Sequence, residues 1–133
     1  MKTIISMLGI DLELLQPAHG VFRYSSRVNP DGGSEDCFAI AERILCEEST
    51  AEILLDLHSG QEASVWSANE GTLICIKMLA SGIVLKTVLD ANLRDWVYVR
   101  EDDICIYVPK AGNAVVVPVA QHGRFRPKKR IAD

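Results

Sequence analysis

The stretch Leu54-Leu55-Asp56-Leu57-His58-Ser59-Gly60 holds the one arrangement in this chain suited to acid–base chemistry. Read as a strand, it places Asp56 and His58 two apart and therefore on one face, where the carboxylate could orient the imidazole. Ser59 then points to the other face, and before Gly60 it reads as an ordinary turn residue. One Asp–His pair without further geometry is thin support for a catalytic centre. The expectation is a strand-end histidine with no catalytic duty, and a small enzyme built on Asp56 and His58 is the alternative. His19 and His122 stand beside Gly20 and Gly123 at loop positions and add nothing.

Other chemistries fare worse. The run "NPDGGSED" leads into a helix start whose amides could hold an anion, but it lacks the lysine and glycine spacing of a nucleotide cradle. Glu35 and Asp36 would also repel a phosphate there. Arg100, Glu101, Asp102 and Asp103 form a charged run without the alternating ligands and closing glutamate of a calcium loop. Cys37, Cys46, Cys75 and Cys105 include no C-x-x-C pair, so neither zinc nor dithiol redox work is indicated. Cys37 and Cys46 lie on opposite sides of an expected helix, and Cys75 and Cys105 sit inside apolar runs. All four are expected to be reduced core thiols in a reducing cytoplasm. No cofactor and no metal is expected.

The elements that must position these residues follow from periodicity. Ser34 can cap a helix over about residues 35–48 in which Phe38, Ala41 and Leu45 recur at helical spacing, flanked by Cys37, Ile40 and Ile44. Glu42, Arg43, Glu47 and Glu48 are left for water. The amino end reads as a first strand, because Asp11 and Glu13 interrupt its apolar run before a secretory signal could develop. No segment approaches the length of a membrane span. After residue 50 come short β-branched runs, "AEILLDLH", "ASVWSA", "TLICIKML", "GIVLKTVL", "DWVYV", "DICIYV" and "NAVVVPVA", separated by brief turns. The fold class expected is α+β, an antiparallel β-meander of about six to eight strands with one main helix packed on it. Residues 83–94 also fit a helical stripe, with strand preferred. If "EDD" joins strands 96–100 and 104–108, Trp96, Tyr98 and Arg100 share a face with Ile104 and Ile106. A single helix covers one sheet face, so either the amino-terminal strands wrap the other or an apolar face stays open for a partner or a second copy.

Charge narrows the function. The chain has 133 residues and a formal net charge of −4. Residues 1–123 hold nine bases and seventeen acids, whereas residues 124–133 hold five bases and one acid. One globular domain over 1–123 with a basic, solvated tail over 124–133 is the expected organisation. An acidic body repels nucleic acid and attracts basic surfaces, which favours a basic protein partner over an RNA-binding module working through the tail. The expected function is a small cytoplasmic, stoichiometric binding protein, of the kind represented by immunity proteins and antitoxins that neutralise a basic toxin such as a nuclease. Its partner surface is expected at Trp96, Tyr98, Arg100, Glu101, Asp102 and Asp103, where aromatics and arginine anchor and acids steer. The acidic helix face at Glu42, Glu47 and Glu48 is the second choice.

Overall fold

The computed structural model describes residues 3–15, 34–90, 97–98, 103–117 and 124–125. Strands β1 (Thr3–Met7) and β2 (Ile10–Leu15) form a hairpin. Its two-residue turn, Leu8-Gly9, has both residues in the left-handed region, at φ 52° and 82°, the backbone that matches strand twist across so short a loop. The amino end is thus two strands where one was expected. Helices α1 (Ser34–Leu45) and α2 (Glu48–Leu55) follow. Next come β3 (Glu62–Ser67), β4 (Thr72–Met78), β5 (Gly82–Asp90), β6 (Val97–Tyr98), β7 (Ile104–Val108), β8 (Val115–Val117) and β9 (Arg124–Phe125).

Seven strands make one mixed sheet in the order β1-β2-β5-β4-β3-β7-β8. The central run β3-β4-β5 is an antiparallel meander, as its short turns predict, and residues 82–90 are strand. Two pairings break the purely antiparallel pattern. β2 lies parallel to β5 and β3 lies parallel to β7, so both outer pairs of strands are joined to the meander through crossovers. Gly82 is required at the first of these junctions, because a Cβ there would lie 2.8 Å from the carbonyl oxygen of Glu13. The register of β4 and β5 slips between Cys75 and Ile76, which leaves Lys86 unpaired in the ladder. Its ammonium bonds the Glu62 carboxylate.

The hairpin expected between 96–100 and 104–108 does not form. β7 takes β3 and β8 as neighbours, while β6 pairs with β9 in a separate two-stranded sheet, Val97 opposite Phe125 and Tyr98 opposite Arg124. Parallel pairing to β3 buries Ile106 and Val108 fully in the sheet, a gain that a local hairpin would not supply. The first two residues of the basic tail therefore belong to a strand, and residues 126–133 lie outside the described residues.

One face of the seven-stranded sheet carries the helices. Ala41, Ile44 and Leu45 of α1 and Ala51 and Leu54 of α2 are buried against alternate residues of every strand from β1 to β7 in that sheet, among them Ile5, Leu14, Ile83, Ile76, Val65 and Ile106. The alternation is what a period of two residues dictates for one covered face. The centre of the opposite face is also dry, with Trp66, Leu73 and Cys105 at most 4 % exposed within a single chain. Exposed large apolar side chains are instead found at the two ends of the sheet, at Ile4, Leu8, Ile10, Val115 and Val116. No helix among the described residues is long and apolar enough to cross a membrane.

Candidate functional site

Residues 51–55 are helical and not the strand that "AEILLDLH" suggests. The single helix expected over 35–48 is in fact two, broken at Cys46 and Glu47. Glu47 has extended backbone (φ −61°, ψ 130°) and caps α2 with its own side chain. Its Oε2 accepts from the Thr50 backbone N–H at 2.8 Å, from Thr50 Oγ1 at 2.9 Å and from Ser49 Oγ at 2.5 Å. Burial pushes the Glu47 carboxyl upward, but these donors outweigh it and hold it below the usual carboxylate range. Ser49 Oγ in turn accepts from the Ala114 N–H at 2.8 Å, which ties the start of α2 to the loop before β8.

The break at Glu47 removes the proposed Asp56–His58 geometry. Asp56 is the C-cap of α2, with αR backbone, and His58 lies beyond the helix in a loop. The two are therefore not alternate residues of one strand face. The His58 carbonyl accepts from the Gln61 N–H at 3.1 Å, closing a turn in which Gly60 adopts φ 93°. Asp56, His58 and Ser59 are all exposed. Among the described residues no group of three His, Cys, Asp or Glu could hold a metal ion.

The first-choice partner surface falls largely beyond reach. Trp96, Arg100, Glu101 and Asp102 lie outside the described residues, and Tyr98 is placed by its backbone in β6. Asp103 is half-buried just before β7. Its carboxylate sits near two thiols. Cys105 is pushed up to about 12, first by burial and then by Asp103 and Cys75. Cys75 is raised chiefly by burial, against a contact with Ser64 Oγ at 3.6 Å. Cys46 is raised by burial and by the Glu42 carboxylate. These three cysteines are free thiols, and in this state they are poor nucleophiles.

The second-choice residues do not share one helix face, because Glu42 lies on α1, Glu47 is taken up as the cap and Glu48 opens α2. Glu48, Glu52 and Asp56 are exposed and follow one another at four-residue spacing, so they form one stripe along α2 of about 12 Å. Glu47 and Ser49 join Glu48, Glu52 and Asn113 around a polar cleft at the head of the helix. Along its flank an open groove of about 600 Å³ is lined by Leu8, Ile53, Leu55 and Val116 together with Glu52 and Asp56. Glu42 is exposed on α1. Arg43 pairs with Glu70 and Lys86 with Glu62, and neither of these ion pairs involves Glu48, Glu52 or Asp56. Glu52 and Asp56 were missed in the sequence because both were placed in a strand. The spacing of Thr50 and Leu54, both buried, was the available helical signal. No protein-family model, no curated protein and no solved structure matches this chain.

Proposed function

We propose that this chain is a stoichiometric binding protein that captures a basic protein partner, in the manner of immunity proteins and antitoxins that mask a cationic toxin such as a nuclease. The observation that carries the reading is the stripe Glu48, Glu52 and Asp56 on α2, exposed and in none of the ion pairs found among the described residues. Residues 42–56 contain five carboxylates and one base. Folding alone does not favour this arrangement. Like charges four apart on a helix repel, and Asp56 meets the negative end of the helix dipole. A basic partner relieves both effects and is steered toward the stripe as it approaches. Three free thiols fit a reducing compartment, the cytoplasm.

The product of the adjacent gene is the first partner to test, by calorimetry and by surface plasmon resonance between about 50 and 300 mM salt. One-to-one binding is expected, with association slowing as salt rises. The triple variant Glu48→Gln, Glu52→Gln, Asp56→Asn should associate more slowly and with a flatter salt dependence, its dissociation rate changing less. A partner bound equally well by the triple variant at every salt concentration would overturn the reading.

A further inference from the structure

Charge alone leaves the apolar groove beside α2 unexplained. Leu8 and Val116 are 49 % and 55 % exposed, and they come from opposite ends of the sheet to flank Ile53 and Leu55. Leu8 is the more telling of the two. It occupies the first place of a two-residue turn at φ 52°, a position suited to asparagine or glycine and sterically unfavourable for leucine. Its side chain recovers little by burial within the chain. Carboxylates of Glu52 and Asp56 edge the same groove, so its floor is apolar and one rim is anionic. That combination complements a segment with an apolar stripe beside cations, and it is ill-suited to an acidic or wholly polar ligand.

We infer that the groove receives a basic, amphipathic segment of the partner protein, with Leu8 as its central apolar contact and the α2 carboxylates meeting its lysines or arginines. The inference rests on the reading of α2 as a surface for a basic partner. Interfaces of this kind concentrate their energy in a few desolvated apolar contacts while the charged rim sets encounter and register.

The probe is a fluorescein-labelled peptide of about eighteen leucines and lysines, its leucines at helical spacing. A scrambled peptide of equal composition reports charge alone. Anisotropy titrations at about 0.1 M salt should show the periodic peptide bound at least about tenfold more tightly than the scrambled one, as hot-spot contacts require. Leu8→Asn should lower that affinity about tenfold or more while raising the thermal midpoint or leaving it unchanged, because asparagine suits the turn. Weaker binding without any loss of stability is what a merely structural leucine cannot produce. Val116→Thr should weaken binding in the same direction with the fold retained. No binding of the periodic peptide, or unchanged binding in both variants, overturns the inference. If Leu8→Asn and Val116→Thr leave binding unchanged while the triple carboxylate variant weakens both peptides, the groove has failed and the charged surface stands. A wild-type chain that sediments as a dimer, and as a monomer after Leu8→Asn, assigns the groove to a second copy and also overturns it.

Discussion

Glu47 is the point at which the two helices are made separate, and its removal has a calculable effect. Glu47→Ala takes away the acceptor for three donors at once. Loss of the cap contributes about 1 kcal/mol. Thr50 is completely buried behind the Glu47 side chain, so its hydroxyl and N–H both lose their partner, and about 1 kcal/mol more is allowed for that. A total near 2 kcal/mol corresponds to a fall of about 6–8 °C in thermal midpoint for a chain of this size. Glu47→Gln keeps one carbonyl acceptor and should cost about half as much. The carboxyl is held low in the folded state, so its stabilising effect is present above its unfolded pKa of about 4.3 and disappears as pH falls through the folded value. The gap between wild type and Glu47→Gln should therefore narrow as pH falls from about 6 to 3. Thermal and urea unfolding, each followed by tryptophan fluorescence, measure the midpoint shift and the free-energy gap. A Glu47→Ala variant within about 0.5 kcal/mol of wild type, or a gap independent of pH, would refute the capping role.

Three further outcomes are open to direct measurement. Gly82→Ala should destabilise by about 1–3 kcal/mol, because the obstructing atom is the Glu13 backbone oxygen and cannot rotate away; the same denaturant titration checks it, and amide exchange should quicken in β1 and β2 first. In a background carrying Cys37→Ser and Cys46→Ser, the buried Cys105 should react negligibly with a thiol reagent at pH near 8 until denaturant is added, and the half-buried Cys75 only slowly, since burial raises both thiols. Rapid native labelling of either one contradicts the burial of that face. His58→Ala should leave stability within about 0.5 kcal/mol and partner binding unaltered, as suits an exposed loop residue; loss of a biological activity with the fold intact would revive the enzymatic alternative.

The parts of this fold legible in the sequence are those fixed by local pattern. The stripe Phe38, Ala41 and Leu45 identified α1, and the short turns around "TLICIKML" identified the meander. The parallel pairs were illegible because nothing local marks them. β7 reads equally well as half of a hairpin, and only the burial gained beside β3 decides. α2 was lost for a different reason. It has eight residues, its cap is a glutamate in place of the usual serine, threonine, asparagine or aspartate, and its apolar run Ile53-Leu54-Leu55 imitates a buried strand. That single misreading hid the site as well, since Glu52 and Asp56 join Glu48 only when the backbone between them is helical. The exposed Leu8 was also invisible, because its significance depends on a turn whose presence the run "MLGI" does not announce as Asn-Gly would.

The parallel pairing of β2 with β5 sets an order of events during synthesis. Ile5, Met7, Leu12 and Leu14 leave the ribosome well before β5, and the strand that covers the far side of β2 begins only at Gly82. At about 5–20 residues per second the hairpin waits roughly 4–15 s for its neighbour. During that interval it presents a short, apolar, two-stranded ribbon that is marginal by itself. Lowering the speed of translation between β2 and β5 should therefore raise the fraction of nascent chains that engage chaperones or aggregate, while the finished protein, once folded, keeps its full stability.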